Sequence, residues 1–133
     1  MGNFGVKIEK FIKTFIDAEG YKTVLEGLQN TLIIAILGLV IGLIIGTVIA
    51  IVKVLPRYKR TVRIFQKICD IYIAFFRGTP IVVQLLLGYY VLFPLLQIRI
   101  SGLWVCVVIF GMNSAAYVAE IMRGGILAVD RGQ

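Results

Sequence analysis

Gln84, Tyr89, Tyr90, Asn113 and Ser114 are polar side chains set deep inside apolar stretches of this 133-residue chain. An unpartnered polar group in hydrocarbon is costly, so each must serve a neighbouring helix or a water-filled cavity. As path-lining groups they would suit a zwitterionic solute; as packing groups they would hydrogen-bond between helices, the commoner use of Gln, Asn and Ser in membranes. The sequence leaves both open. Classical catalytic chemistry has no carrier. The acids beyond Glu26 are Asp70, Glu120 and Asp130, which form no carboxylate pair, and histidine is absent. No nucleotide site is expected, because no G-x-x-x-x-G-K-[ST] occurs and Gly124-Gly125 lacks a phosphate-seeking lysine, and without histidine zinc has no obvious carrier, so no metal or cofactor is expected. Cys69 and Cys106 are 37 apart in number and form no CxxC, so they read as small packing residues.

The elements that must position these residues are membrane spans. Hydrophobic residues make up 59% of the chain and charged ones 16%, against about 25% charged in soluble domains. No charge separates Glu26 from Lys53, and a first span is expected over about 28–52. Gly38, Gly42 and Gly46 form a GxxxGxxxG face on it, suited to close approach by another helix. Pro56 then breaks the pattern. Ile64, Ile68, Ile71, Tyr72 and Phe75 recur at helical spacing, which predicts a surface-lying or shallow helix. Thr79-Pro80 reads as an N-cap followed by a proline at the first helical position, opening a second span over about 80–98. A third covers about 100–119, uncharged from Ile100 to Ala119 and long enough for a ~30 Å hydrocarbon layer. Glu120 and Arg123 follow one turn apart, where they can pair, and Gly124-Gly125 reads as the handover to an aqueous loop.

Ahead of the first span, Phe4, Ile8, Phe11, Ile12, Phe15 and Ile16 repeat at helical spacing opposite Lys7, Glu9, Lys10, Lys13 and Asp17. This segment, residues 1–26, reads as an amphipathic helix on the membrane surface or packed on the rest of the protein. Its interleaved charges do not fit a signal peptide.

Charge orients the whole. Net charge is +7, and residues 53–77 carry seven Lys/Arg against Asp70, or +6. The link between the second and third spans holds only Arg99. The positive-inside rule puts the first loop in the cytoplasm and the N-terminus outside, so the third span returns Arg123–Gln133 to the cytoplasm. A basic block held between apolar spans is explained by the bilayer, and no nucleic-acid partner is expected.

Three stretches carry a family resemblance: AAYVAEIMRGGILAVDRGQ (115–133), FFRGTPIVVQLLLGYY (75–90) and, more weakly, GLQNTL (27–32). They resemble the permease subunit of polar-amino-acid ABC importers, from about Gly27 to the end. The resemblance implies an all-α membrane protein, residues 27–133 forming three transmembrane helices of an incomplete type I ABC importer permease fold. In that family a Glu-Ala-Ala run opens the ATPase-coupling loop after the Gly-Gln that here is Gly132-Gln133. The chain would thus be an N-terminal fragment holding the lead-in to the coupling loop, inactive in transport alone. The matching signature positions are Arg77, Gly78, Thr79, Pro80, Glu120, Arg123, Gly124, Gly125, Gly132 and Gln133. Arg77 could pair with Glu120 at the cytoplasmic face. Implied partners are a cytoplasmic ABC ATPase, a second permease subunit, an extracytoplasmic amino-acid-binding protein and the bilayer. ATP hydrolysis would belong to the separate subunit. The rival readings are a small three-span scaffold or regulatory protein and, last, a channel subunit, for which no filter-like loop is present.

Overall fold

The computed structural model describes residues 2–17, 19–56 and 58–129, all of them helical or in connections. The chain divides into two units, Met1–Leu32 and Ile33–Gln133. The first holds α1 (Gly2–Ile16) and the start of α2 (Gly20–Val54). The second holds the rest of α2, α3 (Arg60–Gly78), α4 (Ile81–Leu87), a π-helical turn (Gly88–Leu92), α5 (Phe93–Leu95) and α6 (Gly102–Ala128).

Residue types explain the breaks. At 35 residues α2 is about 50 Å long, longer than a hydrocarbon core requires, and it starts well before residue 28. It ends at Val54, just short of Pro56. The break after α3 also belongs to a proline. Pro80 has no N–H and bars the residue before it from the α region, so Thr79 is extended at φ −114°, ψ 142°. The expected cap differs: α4 begins at Ile81, Pro80 is its N-cap, and Thr79 closes α3 instead. The Thr79 hydroxyl donates to the Phe75 carbonyl, one of those the break leaves without a helical partner.

Downstream, Pro94 would press its ring on the carbonyl four residues back in a regular helix. The chain widens to a π turn before it, and the Phe93 N–H reaches the Gly88 carbonyl. Together α4, the π turn and α5 give 15 residues, about 22 Å, so the segment does not cross a bilayer by its own length. α2 and α6 are each long and apolar enough; a third crossing exists if α3 and the Ile81–Leu95 segment, bent by 105°, are one broken span. α6 runs unbroken through Glu120, Arg123, Gly124 and Gly125 to Ala128. The two glycines therefore sit inside a helix rather than in a loop, with nothing near either that a side chain would meet.

Inside the second unit lie alanines, glycines, β-branched residues such as Ile73, Val105 and Val107, and the amides of Gln66 and Gln84, while many of the large apolar side chains face out. Ala50, Ala115, Ala116 and Ala119 are fully buried, while Ile64, Ile68, Ile71 and Phe75 are all more than half exposed. The isoleucine stripe of α3 thus faces outward, and Gln66, Cys69, Ile73 and Phe76 face the other helices. This is the pattern of a protein whose surroundings are apolar, where burial of a large side chain gains little and close backbone approach gains more.

The Gly38–Gly42–Gly46 face meets α6. A Cβ on these residues would lie 3.4 Å from Phe110 Cβ, 2.6 Å from Ser114 Cβ and 2.7 Å from Val118 Cβ, respectively. Gly111 reciprocates by admitting Ile41. Thr47 continues the seam, its hydroxyl donating to Leu43 O and lying 3.3 Å from the Met122 sulfur.

Candidate functional site

Two polar assemblies hold the second unit together, and Thr79, Gln84, Asn113, Glu120 and Arg123 of the residues singled out from the sequence fall in them. The first lies at the break between α3 and α4. Breaking a helix strands carbonyl oxygens, and inside an apolar environment these need donors. Gln84, 5% exposed, supplies them from one turn into α4. Its Nε2 donates to Phe76 O (3.0 Å), Thr79 O (3.0 Å) and Thr79 Oγ1 (2.8 Å). Asn113 of α6 reaches the same place, donating to Phe76 O (3.1 Å) and to Gln84 Oε1 (3.3 Å). Two amides from different helices therefore staple the 105° bend and bind it to α6. Tyr72 adds a third tie, its hydroxyl donating to Met112 O at 2.5 Å.

The second assembly gathers charge at the C-terminal ends of α2 and α6. Lys53 Nζ contacts Glu120 Oε1 (2.5 Å) and Asp70 Oδ1 (2.9 Å), and Arg123 Nη2 contacts Glu120 Oε2 (3.2 Å). Lys53 is the best shielded, with 14% of its side chain exposed, and it joins α2, α3 and α6 through single contacts. Glu120 accepts from two cations on separate oxygens. Beside this hub, Gln66 is 3% exposed and donates from Nε2 to Val52 O (3.1 Å) and Leu55 O (2.9 Å). A side chain of α3 thus closes the end of α2.

The expected Glu120–Arg123 pair is present, but Arg77 does not pair with Glu120. The carboxylate is taken by Lys53 and Arg123, while the Arg77 guanidinium lies over the Tyr117 ring at 5.2 Å. That stacking still ties α3 to α6, by a cation–π contact in place of a salt bridge. Gly78 has open space around it. Ser114 packs against Gly42 in the seam. Tyr89 and Tyr90 are exposed, meet edge to face at 4.9 Å, and with Arg99 and Ser101 line an open hollow of about 950 Å³. A smaller apolar groove of about 320 Å³ lies between Phe75, Gln84, Gly88, Leu92 and Ile109. Gly132 and Gln133 lie outside the described residues.

Sequence reading missed Gln66, Lys53, Asp70 and Tyr72 as structural ties. A signal for Gln66 was available: with Thr61 it is one of two uncharged polar side chains in the basic run from Arg60 to Lys67, and such a group can be buried without a counter-ion. Among the described residues no cluster of three metal-ligating side chains occurs, and Cys69 and Cys106 are both free thiols.

No protein-family model matches the chain. Among curated proteins, it is 46% identical over 110 residues to the arginine transport system permease protein ArtQ of Bacillus subtilis, covering 83% of this chain and 48% of that one. It is 37% identical over 110 residues to a putative glutamine transport system permease protein GlnP of Rickettsia prowazekii, with the same coverage. The probable amino-acid ABC transporter permease protein YckA of B. subtilis is 31% identical over 128 residues, 96% of this chain and 54% of the relative. The chain thus spans about half the length of the curated relatives it matches. Among solved structures, the crystal structure of an amino acid ABC transporter with histidines superposes with a TM-score of 0.73 at 35% identity, over 89% of this chain and 53% of that chain.

Proposed function

We propose, from its kinship with permease proteins of amino-acid ABC transport systems, that this chain is part of the membrane-embedded subunit of an ATP-driven importer for polar amino acids. It is similar to such permeases over four-fifths of its own length and is an all-α membrane protein of the same fold. The observation that carries the reading is the 46% identity over 110 residues to an arginine permease protein. In this role the chain forms part of the path and the lead-in to the ATPase-coupling loop. ATP is hydrolysed by a cytoplasmic ABC ATPase, a second permease subunit completes the path, and an extracytoplasmic binding protein delivers the solute. The N-terminus lies outside and the end of α6 inside, as the +6 charge of residues 53–77 favours.

The geometry suits that task. A motor outside the bilayer moves membrane helices only through a stiff contact at their ends. With Lys53 joining α2, α3 and α6 and Gln66 closing α2, a push there moves three helices as one body. The bend stapled by Gln84 and Asn113 transmits it to α4 rather than absorbing it.

The test is purification of the natural complex and uptake in proteoliposomes. Expected are co-purification of an ATP-hydrolysing chain and ATP-dependent accumulation of labelled arginine or glutamine. Absence of both, with the complex otherwise intact, overturns the assignment.

A further inference from the structure

Every described side chain of α1 from Asn3 to Ile16 is exposed, including Phe4 (74%), Phe11 (66%) and Ile16 (62%). Such a face needs an occupant. At about 100° per residue, Phe11, Phe4, Phe15, Ile8, Ile12 and Ile16 fill one arc of roughly 140°, and Phe11 and Phe15 stack at 5.9 Å along it. Lys7 and Lys13 border the two edges of that arc, and Lys10 lies opposite. Basic stems that flank an apolar face can lie along it while their ammonium groups reach phosphates.

Specific contacts mark residues 19 and 20, where α2 begins. Glu19 takes the left-handed conformation at φ 54°, and its carboxylate pairs with Lys22 at 2.7 Å. A Cβ on Gly20 would fall 2.7 Å from Thr14 O and 3.1 Å from Phe15 Cα, so only glycine lets the chain turn this tightly against the end of α1.

We propose that α1 is an in-plane anchor that docks on an anionic lipid surface, with its phenylalanine–isoleucine arc among acyl chains and Lys7 and Lys13 on the headgroups. Charge complementarity selects this occupant: three lysines against Glu9 and Asp17, with Glu9 already paired to Lys13 at 3.3 Å in the open. Each lysine near an anionic surface shifts the docking equilibrium about fivefold.

The test uses the full chain in vesicles, with Cys69 and Cys106 replaced by serine and one nitroxide at a time at Ile8→Cys, Lys10→Cys or Phe11→Cys. Collision rates with oxygen and with a water-soluble nickel complex report depth. In phosphatidylglycerol-containing vesicles, labels at 8 and 11 are expected within the bilayer and the label at 10 in water. In pure phosphatidylcholine, labels 8 and 11 move toward water. Lys7→Gln with Lys13→Gln is expected to produce that movement in the anionic vesicles alone. Equal nickel access at 10 and 11 in both lipids overturns the proposal. Equal immersion in both lipids overturns its anionic part. Spin–spin coupling between α1 segments of two chains that persists in lipid-free detergent assigns the face to a second copy and overturns it too.

Discussion

Replacing Gly46 with alanine puts a carbon 2.7 Å from Cβ and Cγ1 of Val118 and 2.9 Å from the Ala115 carbonyl oxygen. Carbon contacts settle near 3.5–4.0 Å, so the shortfall is about 0.8 Å or more. Neither neighbour can give. Val118 Cβ is fixed to its backbone, and the carbonyl belongs to α6 itself. The seam must open, at about 1–3 kcal/mol for overpacking, against about 1 kcal/mol that alanine returns as the better helix former. Gly38→Ala is the internal control. Its new carbon would meet Phe110 Cβ at 3.4 Å, ordinary contact, so the propensity gain remains and the variant is neutral or slightly more stable. Gly42→Ala, 2.6 Å from Ser114 Cβ, groups with Gly46→Ala. Unfolding of the full chain in mixed micelles by increasing SDS, followed by helical circular dichroism, reads the order. A gap of about 2 kcal/mol between Gly38→Ala and Gly46→Ala is expected from these terms. Equal effects would refute the argument that α2 and α6 meet at these glycines.

The other expectations concern the polar ties. Gln84→Leu strands the Thr79 carbonyl and leaves the Phe76 carbonyl to Asn113 alone, and should cost about 1–3 kcal/mol in the same titration, with Asn113→Ala costing less because Gln84 keeps its bonds to both carbonyls. Lys53→Met should destabilise more than Asp70→Asn, since Lys53 is shielded and Asp70 is half exposed; adding Glu120→Gln should recover part of the loss, and strict additivity would argue against a shared hub. Gln66→Leu should free the end of α2 and speed tryptic cleavage after Lys59 and Arg60; an unchanged rate would show that the amide does not hold this end. Cysteines at Tyr89 and Tyr90, on the open hollow, should react with a water-borne thiol reagent, and cysteines at Gln84 and Asn113 should not. Reaction at Gln84 or Asn113 would put the staple on the water path.

Composition and spacing were enough to read apolar helices of membrane length, because burying charge in hydrocarbon is costly wherever the helices pack. The glycine face was legible for the same reason: Gly38, Gly42 and Gly46 leave a groove whatever fills it. Local rules also found the amphipathic α1 and the break at Thr79-Pro80, although they misassigned the cap, because the Thr79 hydroxyl donates back to the Phe75 carbonyl. Pairing was another matter. Arg77 and Glu120 stand 43 positions apart, and nothing in their types says that Lys53 will reach Glu120 first or that Tyr117 will receive the guanidinium. The polar residues were visible as anomalies, but whether Gln84 faces water or carbonyl oxygens depends on a bend and on a helix 29 positions away. Local chemistry along the chain therefore decided which segments are helical and apolar. Only the tertiary structure decided which polar groups meet, because hydrogen bonds and ion pairs act over about 3 Å and register between helices sets which atoms come that close.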